Sequence, residues 1–265
     1  SLTESPTDPA TYSESTTYQF NATITDPSLE TVILEFDSIN YTPSSSGNIY
    51  TTNLTNISVG TYNYRWYAND TFGNMNSTES GDYTIDQATP SLSLTITPST
   101  SETYGTETTA TSSGCSSQLT CNLYRNSVSV SKPDIQTLGV GTYNYTFNTT
   151  GNANYTAHTN TTNLTITQNT GACNVLFNET SPITYPNSFL VYSDCTTTFT
   201  LYRNSTTISN NSAQNLGVST YNFTVIRTDQ QNYSNIYDEE NFVVQQATGV
   251  VYTYLNHSRA NKTIE

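Results

Sequence analysis

The sequence has 265 residues and a formal net charge of −14, with 34% hydrophobic and only 11% charged residues. Its seven Lys and Arg residues are scattered, which excludes the basic patch that a nucleic acid or an anionic membrane surface would require. No run of 18 apolar residues occurs, which excludes a membrane-spanning helix from this segment.

The residues available to form a core favour β-strands. The 21 Tyr and the abundant Thr lose rotamer freedom in a helix and fit a pleated surface better. Together with Val, Ile and Phe they recur in short alternating runs, separated by Gly, Asn, Ser and Asp clusters every 8–12 residues or so, which is typical of a β-sandwich. Disorder is the competing interpretation of a Ser/Thr-rich chain, and the alternation argues against it. The sequence therefore predicts an all-β protein.

Three internal repeats are the strongest signal in the sequence. The segment 59–64, Val-Gly-Thr-Tyr-Asn-Tyr, recurs almost unchanged at 140–145 and 218–223, so the copies are nearly equally spaced. The tetrapeptide Leu-Tyr-Arg-Asn at 123–126 returns at 201–204, which is the same interval as between the second and third copies. A strand-like segment ending in Gln closes each repeat before a Pro or Gly. The predicted domains are 1–87, 88–168 and 169–246, followed by a tail at 247–265.

Each copy of the repeated segment carries two aromatic residues two positions apart. The first is predicted to form a tyrosine corner, whose hydroxyl bonds to backbone a few residues upstream, with an ordinary strand position as the alternative. The second is predicted to face the core, because alternate residues of a strand share a face. The predicted corner residues are Tyr62, Tyr143 and Tyr221, and the core residues are Tyr64, Tyr145 and Phe223.

The segment Gly60–Asn76, which runs from Gly-Thr-Tyr-Asn-Tyr into Ala-Asn-Asp-Thr-Phe-Gly-Asn, is similar to the end of immunoglobulin-like and PKD-like repeats. Thr-Tyr at 103–104 and 184–185 looks like an early turn of those repeats, and Leu-Tyr-Arg-Asn looks like a middle strand. Such repeats occur in tandem in archaeal and bacterial cell-surface proteins. The resemblance implies three tandem immunoglobulin-like β-sandwich domains plus a C-terminal strand, and a place in a stalk, adhesin, surface layer or filament.

Asparagine sequons indicate an extracellular, N-glycosylated protein. Eighteen of the 31 Asn residues lie in Asn-x-Ser/Thr, where composition alone would give about ten. Attached sugar must lie on a solvated surface, so these positions are predicted to point outward. The predicted sites are Asn21, Asn40, Asn53, Asn56, Asn69, Asn76, Asn144, Asn148, Asn154, Asn160, Asn163, Asn178, Asn204, Asn210, Asn222, Asn232, Asn256 and Asn261.

Four cysteines agree with an oxidising compartment. Four Cys permit three pairings, and we expect Cys115–Cys121 and Cys173–Cys195 because each pair then lies within one repeat. The first repeat has no cysteine, so the fold does not depend on a disulfide.

The two ends of the sequence differ from its middle. The closing Gln and the next early-turn Tyr are equally far apart in both internal cases, Gln87 to Tyr104 and Gln168 to Tyr185. Only the short, polar, proline-containing stretch 1–10 precedes Thr11, so the first strand of domain 1 is predicted to be truncated or missing. At the other end, Val250, Val251, Tyr252, Thr253, Tyr254 and Leu255 form a predicted additional strand.

These ends suggest donation of the C-terminal strand to the first domain of the next subunit. A head-to-tail contact of that kind does not close, so it builds filaments. The predicted function is thus a structural subunit of a glycosylated extracellular filament, with the protein itself as partner. The alternative is a stalk or adhesin fragment of a longer cell-surface or S-layer-associated protein that meets other surface proteins or glycans.

The sequence offers no catalytic constellation and no metal-ligand spacing, so we expect no enzyme activity and no cofactor. Calcium at a repeat junction is a weak expectation, because no Asp-x-Asp-x-Asp-Gly occurs. The acidic run Asp238–Glu240 is predicted to be a solvated loop. A carbohydrate-binding module ranks third, with Trp66 as a sugar platform, although its spacing from Tyr64 favours a core position.

Overall fold

The computed structural model describes residues 1–228, 230–249, 251–255 and 258–262. Every regular element in these ranges is a β-strand, which confirms the all-β prediction. The strands up to residue 245 form three successive pairs of sheets, as the fold class requires. The last strands of the three sandwiches end at residues 86, 167 and 245, so the predicted boundaries after 87, 168 and 246 lie between strands.

The first sandwich contains ten strands in two sheets. One sheet has the order β1-β3-β7-β6 and the other β2-β10-β8-β4-β5, with β9 beside β8. Alternate residues enter the core, so Tyr18 and Phe20 of β3 meet Tyr64 and Trp66 of β8 in one buried cluster. The strands are β1 (Leu2–Ser5), β2 (Ala10–Thr11), β3 (Thr17–Thr23), β4 (Leu29–Phe36), β5 (Ile39–Tyr41), β6 (Ser44–Ser46), β7 (Ile49–Thr55), β8 (Gly60–Asp70), β9 (Met75–Asn76) and β10 (Ser80–Asp86).

The prediction that the first strand of domain 1 is truncated or missing is wrong. β1 pairs antiparallel with β3 over four residues, from Leu2 opposite Ala22 to Ser5 opposite Gln19. β2 then pairs parallel with β10. This stretch has few apolar residues: Leu2 and Ala10 pack against the first core, and hydrogen bonds hold the polar residues between them.

Three polar contacts hold the leading segment on the first sandwich. The buried Tyr83 hydroxyl donates to the carbonyl of Pro6 at 2.6 Å, and the Thr84 amide donates to Asp8 at 2.7 Å. The Tyr64 hydroxyl donates to the Glu4 carboxylate. Burial raises the pKa of Tyr83 to about 12, so its hydroxyl stays a donor at physiological pH.

The second and third sandwiches each combine a three-stranded and a five-stranded sheet. The orders are β11-β13-β16 with β12-β18-β17-β14-β15, and β19-β21-β24 with β20-β26-β25-β22-β23. The strands are β11 (Ser93–Thr97), β12 (Ser101–Thr103), β13 (Glu107–Ser113), β14 (Cys121–Arg125), β15 (Val128–Ser129), β16 (Asp134–Thr137), β17 (Gly141–Thr149), β18 (His158–Thr167), β19 (Val175–Phe177), β20 (Ile183–Thr184), β21 (Phe189–Ser193), β22 (Thr200–Arg203), β23 (Thr206–Ile208), β24 (Ser212–Gln214), β25 (Ser219–Arg227) and β26 (Ile236–Gln245).

All three sandwiches share one way of using the leading segment. Its first part pairs antiparallel in one sheet (β1, β11, β19), and its second part pairs parallel with the last strand of the other sheet (β2, β12, β20). The first sandwich is therefore built like the other two.

Two-residue turns with left-handed backbone follow the middle strands. These turns twist in the sense that a hairpin needs, and Asn and Asp tolerate the conformation better than most side chains. Leu-Tyr-Arg-Asn thus marks a strand that ends in a turn, as β14 and β22 do. The turn residues with positive φ are Asp37-Ser38, Asn126-Ser127 and Asn204-Ser205.

The aromatic residues of the repeated segment lie on β8, β17 and β25. The Tyr62 hydroxyl donates to the Ser58 carbonyl at 2.9 Å and the Tyr221 hydroxyl to the Gly217 carbonyl at 3.2 Å, the bond that defines a tyrosine corner. Tyr143 occupies the same position of β17. The residues two positions on, Tyr64, Tyr145 and Phe223, are buried.

Both expected disulfides are present, Cys115–Cys121 and Cys173–Cys195. Their pairing confirms the prediction of one bridge within each of the last two repeats. Each closes a loop of a single sandwich.

The tail forms a hairpin of β27 (Val251–Leu255) and β28 (Ser258–Lys262). β27 contains five of the six predicted donor residues, while Val250 lies outside the described residues. The acidic run Asp238–Glu240 is part of β26 and not a loop.

The chain divides into two compact units, each of which is held together by contacts within the unit. The first comprises Ser1–Thr97, Thr109–Ile135 and Tyr143–Leu164, and the second Pro98–Thr108, Gln136–Thr142 and Thr165–Glu265. Each unit contains one junction between successive sandwiches. The first junction lies in the first unit and the second junction in the second.

Candidate functional site: two junctions built alike

The first junction begins with a short backbone pairing. Just after β10, the Ala88 amide donates to the Asn154 carbonyl at 3.0 Å, and the Thr156 amide donates back to the Ala88 carbonyl at 2.9 Å. Ala88 and Tyr155 thus form an isolated parallel bridge between the linker and the loop that follows β17. The linker is paired on both sides of one residue, which fixes the path of the chain between the sandwiches.

Two side-chain amides reinforce this pairing. The Asn154 carboxamide oxygen accepts from the Val59 amide at 3.1 Å, and Val59 lies just before β8 of the first sandwich. In the opposite direction, the Gln87 side chain donates to the carbonyls of Asn152 and Ala153 at 3.0 and 3.2 Å. An amide side chain suits both positions because it carries a donor and an acceptor.

An aromatic pair and a carboxylate complete the first junction. Tyr12, 8% exposed, meets Tyr155 edge to face with ring centroids 5.5 Å apart, and its hydroxyl is hydrogen-bonded to the Gln118 side chain. Glu14 accepts from Ser116 and from the Tyr155 hydroxyl, and the Ser116 bond lowers the pKa of the Glu14 carboxyl. Glu14 is therefore an ionised acceptor at neutral pH, which suits the hydroxyl donors around it.

The second junction uses the same contacts one repeat further along the chain. The Asn169 amide donates to the Asn232 carbonyl at 3.0 Å, and the Ser234 amide donates to the Asn169 carbonyl at 3.1 Å. The Asn232 carboxamide oxygen accepts from the Val140 amide at 3.0 Å. Backbone pairing and amide acceptor are therefore the same as in the first junction.

The glutamine and the tyrosine pair recur as well. The Gln168 side chain donates to the carbonyls of Gln230 and Gln231 at 3.0 and 3.4 Å. Tyr104 meets Tyr233 with ring centroids 5.5 Å apart and an interplanar angle of 76°. One set of side chains thus serves both junctions.

Arg227 is specific to the second junction. It is fully buried, its guanidinium lies 5.1 Å from the Tyr233 ring centroid, and it donates to the carbonyls of Thr170 and Ser234. A buried guanidinium is stabilised by such carbonyls and by an aromatic face. Arg227 therefore ties the linker to the loop it meets.

The loop of five residues that contacts the preceding sandwich is called the docking loop below, 152–156 in the second repeat and 230–234 in the third. Sequence reasoning missed both loops as junction elements. The signal was present, because Asn154-Tyr155 recurs as Asn232-Tyr233, at the same interval that separates the two copies of Leu-Tyr-Arg-Asn.

The predicted glycosylation sites are at least partly exposed wherever the structure describes their side chains. Among the sixteen sequon asparagines whose side chains the structure describes, none is buried. Asn154 and Asn232 are distinguished by side-chain bonds that reach the preceding sandwich. Asn256 lies outside the described residues.

The structure brings together no catalytic or metal-ligating set in the part of the chain it describes. No group of three or more His, Cys, Asp or Glu residues converges there. Trp66 is 3% exposed and packs in the first core, so it is not a sugar platform, and the carbohydrate-binding alternative loses its key residue. None of the described residues forms a helix that could cross a bilayer.

No family model matches the sequence, and no curated protein sequence matches it. Among solved structures, an I-band fragment of titin is 13% identical with a TM-score of 0.35, covering 90% of this chain and 95% of the titin chain. The full ectodomain of mouse nectin-like molecule 4 is 9% identical with a TM-score of 0.35, covering 92% and 100%. A structure concerned with host cell surface retention of a 1.5-MDa bacterial ice-binding adhesin is 11% identical with a TM-score of 0.29, covering 87% and 91%. At these TM-scores the likenesses carry no argument, and the assignment to tandem immunoglobulin-like sandwiches stands on the sheets described above.

Proposed function

We propose that this chain is a structural segment of a glycosylated extracellular protein, in which successive sandwiches are held at fixed junctions so that the array acts as a spacer, stalk or adhesive arm. One observation carries the proposal. Both junctions use the same backbone pairing, Asn acceptor, Gln donor and Tyr–Tyr pair.

Fixed junctions are what a mechanical spacer needs and what a flexible tether does not have. A linker of Gly and Ser without side-chain contacts behaves as a random coil and transmits no orientation. Here the linker residues Ala88 and Asn169 each form two backbone hydrogen bonds to a docking loop, one through the amide and one through the carbonyl. Ala88 is 9% exposed. Repeats that contact only their neighbours gain stability and stiffness from such interfaces.

An extracellular location is supported by two disulfides and by the solvent-accessible sequons. Disulfides persist in oxidising compartments. Sugar on exposed asparagines such as Asn163, Asn178 and Asn210 would cover strand faces and turns that are otherwise open to proteases.

The filament interpretation loses its main support. It required a vacant edge in the first sandwich to accept the tail of another subunit, and β1 occupies that edge with four paired residues. The predicted donor strand β27 is itself paired with β28 of its own chain. The stalk or adhesin alternative needs neither feature, so it is the proposal that we retain.

The test of the proposal is whether neighbouring sandwiches tumble together. Backbone ¹⁵N relaxation of the full unglycosylated chain is expected to give one rotational diffusion tensor for the first and second sandwiches, and likewise for the second and third. The double variant Asn154→Ala/Asn232→Ala is expected to loosen this coupling, whereas Asn163→Ala, on an exposed face of β18, is not. Three independent, shorter correlation times in the unmodified chain would reject the spacer role.

Glycopeptide mapping of the native protein tests the extracellular part separately. Peptides containing Asn163, Asn178 and Asn210 are expected to carry glycans. Unmodified peptides at all three positions would reject glycosylation and leave the spacer role to the relaxation measurement.

A further inference from the structure

The third sandwich carries a complete copy of the surface that the first and second sandwiches use to hold their neighbours. We call it the docking face and define it by Tyr185, Val218, Gln246 and Ala247. Each of these residues has the same place relative to its strands as its counterparts have in the two occupied junctions. Tyr185 follows β20 and its amide donates to the Gln245 carbonyl at 2.9 Å.

The counterparts of Tyr185 show this equivalence. Tyr12 follows β2 and its amide donates to the Asp86 carbonyl at 2.9 Å, and Tyr104 follows β12 and its amide donates to the Thr167 carbonyl at 2.8 Å. Both of these tyrosines are covered by a docking-loop tyrosine, whereas Tyr185 is 50% exposed.

The other three residues follow the same pattern. Val218 precedes β25 as Val59 precedes β8, and Val218 is 55% exposed while Val59 is half-buried. Gln246 follows β26 as Gln87 follows β10. The tripeptide Gln-Ala-Thr at 87–89 is repeated without change at 246–248. Ala88 is buried by its neighbour, whereas Ala247 is exposed.

From these observations we infer that the docking face binds one further immunoglobulin-like sandwich, whose docking loop contains Asn-Tyr. The Asn carboxamide oxygen accepts from the Val218 amide, and the Tyr ring meets Tyr185 edge to face. The loop carbonyls accept from the Gln246 side chain, and the loop backbone pairs with Ala247. The two occupied junctions show this chemistry in full, so the nature of the occupant follows from the molecule itself.

A second copy of this chain does not fit the docking face. Asn154 precedes Ile166 by the same interval as Asn232 precedes Val244, but the residue at that interval before Ile85 in the first repeat is Gly73, which is followed by Asn74. The first repeat therefore lacks both the Asn acceptor and the aromatic ring. The two docking loops that have these groups are engaged within the chain. The partner is thus a repeat of the second or third type, and the inference holds whether or not the array is a spacer.

The test adds one such repeat to the chain. Residues 88–168 are fused directly after Gln246, so that the added copy of Ala88 takes the place of Ala247 in an unchanged Gln-Ala-Thr sequence. Tyr185 and Val218 remain unique in this extended chain. Nitration of Tyr185 and amide exchange of Val218 are then read by peptide mapping, with Tyr12 and Val59, which also remain unique, as internal standards.

In the extended chain, we expect nitration of Tyr185 and exchange of Val218 to slow by about tenfold, toward the rates of Tyr12 and Val59. Asn154→Ala and Tyr155→Ala in the added copy are expected to restore the rates of the natural chain. An added copy that is folded, with its disulfide formed, but leaves both rates unchanged would overturn the inference.

Two further arms keep the result unambiguous. If truncation after Gln246 alone makes Tyr185 more reactive than in the natural chain, the tail 247–265 is the occupant and the inference is wrong. If the added second repeat does not fold, a copy of residues 169–246 carrying Tyr185→Phe replaces it. Tyr185 itself then stays unique, while Val218 is present twice, so nitration of Tyr185 alone is read. The same slowing is then required.

Discussion

The Asn154→Ala substitution tests the junction chemistry at a single hydrogen bond. In the native chain, the Asn154 carboxamide oxygen accepts from the half-buried Val59 amide at 3.1 Å. Alanine removes the acceptor but leaves the backbone pairing of Ala88 with the docking loop in place. A net hydrogen bond contributes about 0.5–1.5 kcal/mol, and a donor left unsatisfied in partly buried surroundings costs about 1–3 kcal/mol.

These values predict a loss of about 1–2 kcal/mol at the first junction, which corresponds to a roughly five- to thirtyfold increase in its open population. Amide hydrogen exchange of Val59, followed by NMR in unglycosylated protein, reports the loss of this bond, and exchange of the Thr156 amide, which bonds to the Ala88 carbonyl, follows the open population. Exchange is expected to accelerate by about tenfold, while the buried amides of β8 and β10 keep their rates.

Matched variants separate the junction from general destabilisation. Asn232→Ala is expected to accelerate amide exchange of Val140 and to leave amide exchange of Val59 unchanged, because the Asn232 side chain bonds to Val140 and not to Val59. Asn163→Ala removes an exposed sequon asparagine of the same repeat as Asn154. It is expected to change the exchange rate of neither the Val59 nor the Val140 amide. If Val59 exchanges at the native rate in a folded Asn154→Ala protein, the Asn acceptor does not hold the junction and the reasoning is refuted.

Three other predictions concern sugar, the leading segment and pH. In the protein from its natural source, Asn154 and Asn232 are expected to be unmodified, because a sugar on either side chain would have to fit between the docking loop and the preceding sandwich; glycopeptides found at both positions would show that the junctions are not closed as described. Deletion of residues 1–9 removes β1 and the Pro6 carbonyl that accepts from the Tyr83 hydroxyl. Urea denaturation is expected to show that the free energy of unfolding of the first sandwich falls by about 3–5 kcal/mol. An unchanged urea midpoint would mean that β1 does not stabilise the sandwich. The pKa of Tyr83 is raised to about 12 by burial, against about 10 in an unfolded chain, so its stabilisation is complete below pH 10 and is lost as pH rises to about 12. Over that range we expect the free energy of unfolding of the unmodified protein to fall by about 2–3 kcal/mol more than that of the Tyr83→Phe variant. If the free energy of unfolding falls equally steeply with pH in both proteins, this assignment is contradicted.

The repeats and the strand class could be predicted because they depend on local composition. Alternating Tyr, Val and Phe marks strands wherever one face of a sheet is buried. Tyr145 and Phe223 fell in the core for this reason. The cysteine pairing followed from the repeat boundaries, which kept each pair within one sandwich.

The leading strand of the first domain could not be predicted from apolar pattern. Its sequence, Leu-Thr-Glu-Ser, reads as polar and its place in the sheet is fixed by partners far along the chain. The Tyr83 hydroxyl binds the Pro6 carbonyl from 77 positions away, and Thr84 binds Asp8 from 76. Contacts of this kind leave no periodic mark near the segment that they hold.

Two of the sequons have a second explanation in the junctions. Every residue of Asn154-Tyr155-Thr156 contributes to the first junction, because the Asn accepts from Val59, the Tyr packs on Tyr12, and the Thr amide closes the pairing with Ala88. The Thr156 hydroxyl also lies 3.4 Å from the Ala88 carbonyl and 3.3 Å from the Thr89 hydroxyl.

A small hydroxyl residue therefore suits the third position for packing and hydrogen bonding. Ser234 occupies the same position of the second junction, where its amide donates to Asn169. The Asn-Tyr-Thr and Asn-Tyr-Ser sequences are thus explained by docking alone, without any requirement for sugar. A sequon whose three residues all contact a neighbouring sandwich is better interpreted as an interface motif than as a glycosylation signal, and that criterion distinguishes Asn154 and Asn232 from exposed positions such as Asn163.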